Sequence, residues 1–157
     1  MKAGANKKKL VIGLGNPLSC DDAFGLAVLD RLAQQKSASA AELVRAGTDL
    51  IGQIDLFRTY SRVILVDTLL DPDAGLGRRG EVIAFEEEAF QAWPATSPSV
   101  HQFSPLLAIK LFRKLYPEAH TRITLVAYCT DSVSMRGSPL EETVINAAVR
   151  LVISLLS

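Results

Sequence analysis

Apolar runs and stretches with apolar residues at helical spacing alternate along the chain. Alternation of this kind is typical of a three-layer α/β domain, in which helices cover both faces of a mostly parallel, twisted sheet. We therefore expect residues 1–157 to form a single domain of this class. The apolar runs predict strands near 9–14, 42–46, 62–67, 80–85 and 122–128. The periodic stretches predict helices near 22–36, 50–60, 103–116 and 139–156.

Two predicted strands are almost entirely apolar, and one of the five follows its predecessor too closely for a parallel connection. The first and third strands, LVIGLG and RVILVD, fit parallel strands buried on both faces. The strand near 80–85 leaves no room for a preceding helix, which predicts an antiparallel edge or a hairpin return and a mixed sheet. Ser138 and Pro139 are typical of a helix N-cap and first helical position, and the apolar stripe that follows predicts core packing.

The first candidate for chemistry follows the first strand. Gly13 and Gly15 allow tight backbone conformations, and Asp21 and Asp22 then lead into the first predicted helix. Carboxylates in the first turn of a helix are favourable beside its partial positive charge. Because open α/β sheets bind ligands at the carboxyl ends of their strands, we expect these acids to lie at a functional edge. Asp21 is a candidate N-cap, and Asn16 either tightens the glycine turn or contacts substrate.

Two further polar residues are predicted at the same edge. Asp67 ends the third predicted strand and His101 precedes the third helix, so both could converge with Asp22. Two carboxylates and an imidazole form a metal site of mixed ligands that leaves coordination positions open. Simpler structural explanations exist for each residue alone. Asp22 could complement a helix dipole, Asp67 could bind turn amides, and His101 could cap a helix.

These segments resemble the hydrogenase maturation endopeptidases, which remove a C-terminal peptide from the nickel-containing large subunit of [NiFe] hydrogenases. The resemblance rests on the GLGN turn, the Asp21-Asp22 pair and Gly25, followed by the VILVD strand that ends in Asp67 and the SVHQ segment that contains His101. The order and spacing of these motifs carry the likeness, which spans most of the chain.

The resemblance implies a phosphorylase/hydrolase-like fold and a metal-dependent, nickel-recognising endopeptidase of aspartic type. Asp22, Asp67 and His101 would be both the catalytic and the metal-binding residues, with His101 or one aspartate as general base. The Ni²⁺ would arrive on the large-subunit precursor, so it belongs to the substrate and is not a resident cofactor. The resemblance assigns a structural or substrate-side role to Gly13, Gly15, Asn16, Asp21 and Gly25.

Composition excludes several classes of partner. Seventeen basic residues balance seventeen acidic ones, so no general field attracts nucleic acid or an anionic membrane. The sequence contains no signal-peptide pattern and no apolar run long enough to span a bilayer. Cys20 and Cys129 suggest neither a disulfide framework nor a zinc site. We expect a cytoplasmic protein that acts as a monomer and binds neither nucleic acid nor membrane.

Two other functions stay open. The segment VIGLGNP also resembles the opening of bacterial peptidyl-tRNA hydrolase, although that family's catalytic histidine has no counterpart here. A non-catalytic relative that binds metal or a partner protein is the second alternative. Other hydrolase and nucleotide-binding signatures are absent, since the chain has no GxSxG, no HExxH and no P-loop, and Leu18 replaces the third glycine of a dinucleotide-binding turn.

Overall fold

The protein forms one five-stranded sheet, described from a computed structural model of residues 8–18, 23–70, 80–91, 105–130 and 140–157. The strand order is β2-β1-β3-β5-β4. β4 runs antiparallel to β5, and every other neighbouring pair is parallel. The predicted mixed sheet is therefore confirmed, and the fourth strand is the antiparallel edge and not a hairpin return onto β3. The strands are β1 Lys9–Leu14, β2 Ala41–Gly47, β3 Arg62–Leu70, β4 Val82–Glu86 and β5 Arg122–Thr130.

Helices cover both faces of the sheet, as the α/β pattern predicts. One buried apolar layer joins α2 and α4 to one face, and a second joins α1 and α5 to the other. The helices are α1 Phe24–Leu32, α2 Ile54–Phe57, α3 Glu87–Gln91, α4 Pro105–Leu115 and α5 Glu142–Leu156, with short 3-10 turns at Lys36–Ala38 and Ile51–Gln53.

The central strands show why this sequence requires two helical layers. Along β3, Val63 and Leu65 pack on the α2 and α4 side, whereas Ile64 and Val66 pack on the α1 and α5 side. All four side chains are fully buried, because successive residues of a strand point to opposite faces. The apolar stripe of α5 covers its side of the sheet with Ala148, Val149 and Val152, which confirms its predicted core role.

Beyond β2, the structure differs from the predicted helices in two assignments and contains one helix that was not predicted. The stretch 50–60 forms a 3-10 turn followed by only four α-helical residues. The Asp49 side chain accepts the Gly52 N–H at 2.9 Å, which favours a turn over a continuous helix. α5 begins at Glu142, with Glu141 as N-cap in an extended conformation, so the start predicted at Pro139 is wrong. The short α3 was not predicted.

A charged cluster fixes the edge of the sheet opposite the carboxyl ends of β1 and β3. Arg113 of α4 donates to both carboxylate oxygens of Glu87 in α3, at 2.8 and 2.6 Å. The same guanidinium donates to the carbonyls of Ala119 and Thr121, just before β5. These bonds tie α3, α4 and β5 together. On the other side of the sheet, the Lys9 ammonium donates to the carbonyl of Leu156 at the end of α5.

Within the described ranges, every helix is too short or too polar to cross a membrane.

Candidate active site

The sheet changes winding direction between β1 and β3. β2 pairs with one side of β1, and β3 pairs with the other side. The chain therefore runs from β1 to β2 in one direction and then crosses back past β1 to form β3. The two intervening helices, α1 and α2, pack on opposite faces. In open α/β sheets this arrangement leaves a crevice beyond the carboxyl ends of the two central strands, where ligands bind.

The glycine turn after β1 forms one wall of this edge. Gly15 has φ of 141°, in a region that favours glycine, and its N–H donates to the carbonyl of Gly47 at 2.8 Å. A register shift in β2 precedes this contact, because Gly13 pairs with Arg45 whereas Leu14 pairs with Gly47. The turn that follows β1 is therefore anchored to the end of the neighbouring strand.

Asn16 extends the same turn. Its side-chain Oδ1 accepts the N–H of Leu18 at 2.9 Å, which is an Asx turn. This bond is the turn-tightening role expected from the sequence. A contact between Asn16 and substrate stays a prediction.

Gly13 and Gly25 bring the first turn of α1 directly onto the sheet. A Cβ atom on Gly25 would lie 2.2 Å from the Leu14 carbonyl oxygen and 2.3 Å from that of Val66. A Cβ on Gly13 would lie 2.6 Å from the Gly25 carbonyl oxygen. The helix can approach this closely only because both positions lack a side chain. The close packing holds the start of α1 against the ends of both central strands.

Asp67 lies in β3 one residue beyond the end of its pairing with β1. That pairing ends where Gly13 meets Val66, whereas pairing with β5 continues from Asp67–Ala127 to Leu70–Thr130. The strand therefore does not end at the acid, as the sequence predicted, but continues for three residues because β5 still supplies backbone partners. On its β1 side, Asp67 is at the point where the crevice opens.

The Asp67 side chain is fully buried, which is rare for a carboxylate. Its Oδ1 accepts the backbone N–H of Thr68 at 2.8 Å. The alternation along β3 places it on the same face as Leu65 and Leu69, which is the face covered by α2 and α4. A buried acid at a ligand-binding edge is typical of a functional site.

The remaining predicted site residues, Asp21, Asp22 and His101, lie outside the described residues. The helix near the two acids nevertheless requires a correction. α1 begins at Phe24 with Ala23 as its N-cap, and its first turn contains no acidic residue. The first helical N–H bond runs from Ala27 to the Ala23 carbonyl at 2.9 Å. The expectations that Asp22 belongs to the first turn and that Asp21 is the N-cap are therefore wrong.

Metal binding is not tested by the described residues, among which no group of three or more His, Cys, Asp or Glu could hold an ion. Two of the three predicted ligands, Asp22 and His101, lie outside the described residues. The Asp22, Asp67 and His101 site stays a prediction.

One contact near the edge was missed by sequence reasoning. The ring of Phe24, the first residue of α1, lies 5.5 Å from the ring of Tyr128, centroid to centroid. Tyr128 pairs with Thr68 in β3, next to Asp67. An aromatic residue at a helix start and another in a strand carry no sequence signal for such pairing. The contact fixes the start of α1 beside the β3 and β5 strands.

Comparison with solved structures identifies the fold. HybD, a [NiFe] hydrogenase maturation protease from Thermococcus kodakarensis, superposes with a TM-score of 0.68 at 23% identity, covering 94% of this chain and 95% of its own. The hydrogenase maturating endopeptidase HybD from E. coli gives 0.72 at 22% identity, covering 95% and 91%. The chain has the fold of the hydrogenase maturation proteases.

A third structure, an endopeptidase from Escherichia coli, gives a TM-score of 0.73 at 23% identity and covers 95% of this chain and 91% of its own. No model of a protein family matches the sequence, and no curated protein matches it. The likeness is thus one of three-dimensional structure, with TM-scores of 0.68 to 0.73 over almost the whole chain.

Proposed function

We propose that this protein is an endopeptidase that removes the C-terminal peptide from the nickel-loaded large-subunit precursor of a [NiFe] hydrogenase. The observation that carries the proposal is the fully buried Asp67, which lies at the winding switch of the fold described above. The structures with this fold include proteins named as [NiFe] hydrogenase maturation proteases and cover nearly the whole chain. Of the sequence motifs that resemble this family, the GLGN turn and the strand that carries Asp67 lie at this edge.

The packing of the two glycines supports the proposed composition of the site. Gly25 contacts the carbonyl of Val66, which directly precedes Asp67. Asp22 lies three residues before Gly25 in the sequence. We propose that Asp22 and Asp67 act together with His101, which precedes α4 by four residues. Such a set of two carboxylates and one imidazole suits a borderline divalent cation such as Ni²⁺.

The nickel in this proposal belongs to the substrate. The precursor presents its bound metal to the three side chains, and cleavage follows only when the metal is in place. The enzyme thereby distinguishes a loaded precursor from an empty one. At the site, Asp67 would bind the cation with a carboxylate whose Oδ1 is already oriented by the Thr68 N–H. His101 or an aspartate would take the proton from the attacking water.

The experiment that tests the proposal compares two forms of one substrate. The purified protein is incubated with a [NiFe] hydrogenase large-subunit precursor from the same genome, either nickel-loaded or nickel-free. The expected result is loss of the C-terminal peptide from the loaded form alone, detected by intact-mass spectrometry. An Asp67→Asn variant, close in size to the wild type, serves as the inactive control.

Three outcomes separate the alternatives. Equal cleavage of both precursor forms would overturn the metal-checking step but leave the protease. Cleavage of neither form, with binding of the loaded precursor retained, would favour the non-catalytic relative. Release of peptide from peptidyl-tRNA would favour the tRNA hydrolase alternative, which the neutral net charge makes a poor fit.

A further inference from the structure

Leu18 is the most exposed of the large apolar side chains that the described part of the chain leaves accessible. It is 74% exposed, compared with 54% for Leu115, 47% for Leu107 and 37% for Leu56. The other three belong to α2 and α4, where each helix also contributes buried residues to the core. Leu18 belongs to a turn. Its exposure is therefore not explained by a helix that buries one face in the core and leaves the other in solvent.

The turn holds Leu18 in a defined place. Its backbone N–H donates to Asn16 Oδ1 at 2.9 Å, and Gly15 at the base of the turn donates to Gly47 at 2.8 Å. Both bonds restrict the backbone and leave the side chain in solvent. A partner that covered this leucine would therefore lose little backbone entropy on binding, which is the advantage of a preorganised contact.

The position of the turn indicates what the partner would be. Leu18 follows the end of β1 at Leu14 by four residues, so it lies within about 14 Å of that strand end. β1 and β3 are neighbours, and Asp67 follows directly after their last paired residues, Gly13 and Val66. A polypeptide that occupied the crevice at these strand ends would pass close to the Leu18 turn.

We propose that Leu18 is a substrate-binding residue, which packs against an apolar side chain of the precursor next to the segment held at Asp67. The inference rests on the proposed endopeptidase function and adds a determinant of substrate affinity to it. Leu18 takes no part in proton transfer or metal binding. Its contribution is made equally in the bound ground state and in the transition state, so it acts on KM and not on kcat.

The test uses three variants of the full-length protein and the nickel-loaded precursor as substrate. Leu18→Gln keeps the side-chain length and the backbone N–H of the Asx turn but removes the apolar contact. Leu18→Met keeps the apolar surface. Leu115→Gln changes another exposed leucine, which is the last residue of α4 and lies away from the carboxyl ends of the strands. Thermal unfolding of each variant is measured first, and all three are expected to match the wild type because the side chains are exposed.

The expected result is a rise in KM of about tenfold for Leu18→Gln, with kcat unchanged, since contact with a leucine side chain contributes roughly this factor. Leu18→Met and Leu115→Gln should stay within about twofold of the wild-type KM. An unchanged KM for Leu18→Gln overturns the inference while the endopeptidase function stands. If instead the wild type itself does not cleave the loaded precursor, the proposed function fails and not only the role of Leu18.

A second copy of this chain is the other possible occupant of the Leu18 surface, and sedimentation velocity distinguishes it. A wild-type dimer that Leu18→Gln converts to monomer, with KM unchanged, would assign the leucine to self-association and overturn the substrate role. A sedimentation coefficient that is the same for both proteins, together with the raised KM, supports it.

Discussion

The α-carbon of Gly25 faces the backbone carbonyl of Val66 so closely that an added Cβ would lie 2.3 Å from that oxygen. This contact joins the first turn of α1 to the residue that precedes Asp67. The start of α1, which follows Asp22 by two residues in the sequence, is thus packed against the strand that carries Asp67.

Replacement of Gly25 by alanine should destabilise the fold. The new methyl group would meet the carbonyls of Leu14 and Val66, which are backbone atoms of two central strands and cannot rotate away. We expect a loss of about 1–3 kcal/mol in the free energy of unfolding, measured by urea denaturation.

Gly52→Ala is the matched control. The three atoms nearest to its added Cβ all belong to the side chain of Asp49, which can move at the cost of one exposed hydrogen bond. We expect a loss below about 1 kcal/mol. Equal losses for the two variants would show that α1 can shift away from the strand ends.

Asp67 and His101 should be required together for nickel binding. Calorimetric titration of Ni²⁺ into the wild type should give saturable heat that is lost in both Asp67→Ala and His101→Ala, with Mg²⁺ as the control ion. Loss in both variants would mean that residues 34 positions apart build one site. If the three proteins give the same heat, the site does not bind nickel in the absence of the precursor.

Tyr60 should make stability depend on pH in the alkaline range. Its hydroxyl donates to the Glu42 carboxylate, and this bond, together with burial, raises its pKa to about 12. An unfolded tyrosine titrates near pH 10, so folding favours the protonated phenol. The contribution is therefore fully present below about pH 10 and is lost as the pH rises toward 12.

Tyr60→Phe measures this contribution. We expect the wild type to exceed the variant by about 1 kcal/mol in urea unfolding at neutral pH. The difference should stay constant up to about pH 9 and decrease above pH 10. A difference that did not change between neutral pH and pH 11 would contradict the role of the Glu42 bond.

Arg113 should not be replaceable by lysine. Its guanidinium donates to both oxygens of Glu87 and to two backbone carbonyls, a set of bonds that a single ammonium cannot reproduce. Glu87 is almost fully buried, so weakened pairing leaves a poorly solvated carboxylate. We expect Arg113→Lys to lower the free energy of unfolding by about 2 kcal/mol.

Arg45→Lys provides the comparison for that measurement. Arg45 pairs with Asp30, but both side chains are more than half exposed. The exchange should change stability by less than about 0.5 kcal/mol. Similar effects of the two exchanges would indicate that burial of Glu87 contributes little.

The apolar strands were predictable because burial on both faces leaves a plain sequence signal. β1, which is buried along almost its whole length, matches its predicted range. The edge strand β2 is only partly buried and differs by one residue at each end. The extension of β3 beyond Asp67 was not predictable in the same way. Thr68, Leu69 and Leu70 are in the strand because β5 pairs with them, and that partner is more than 50 residues away in the sequence.

The part of the candidate site that the structure describes was predictable in its location and not in its local geometry. Asp67 and the GLGN turn lie at the carboxyl edge of adjacent strands, as their positions after apolar runs predicted. The start of α1 was misjudged because acids before an apolar stripe resemble a helix cap. Packing of Gly25 against Leu14 and Val66 instead fixes where the helix begins. Close backbone contacts of this kind leave no periodic pattern in a sequence.

The bond between Lys9 and Leu156 has a consequence for the order in which the chain folds. It links the first strand to the end of the last helix across 147 residues. During synthesis, β1 and α1 emerge long before α5, which packs against α1, β4 and β5. The apolar surface that α1, β4 and β5 present to α5 therefore stays uncovered until α5 has been synthesised, and a nascent chain of this fold is at greatest risk of aggregation until that helix leaves the ribosome.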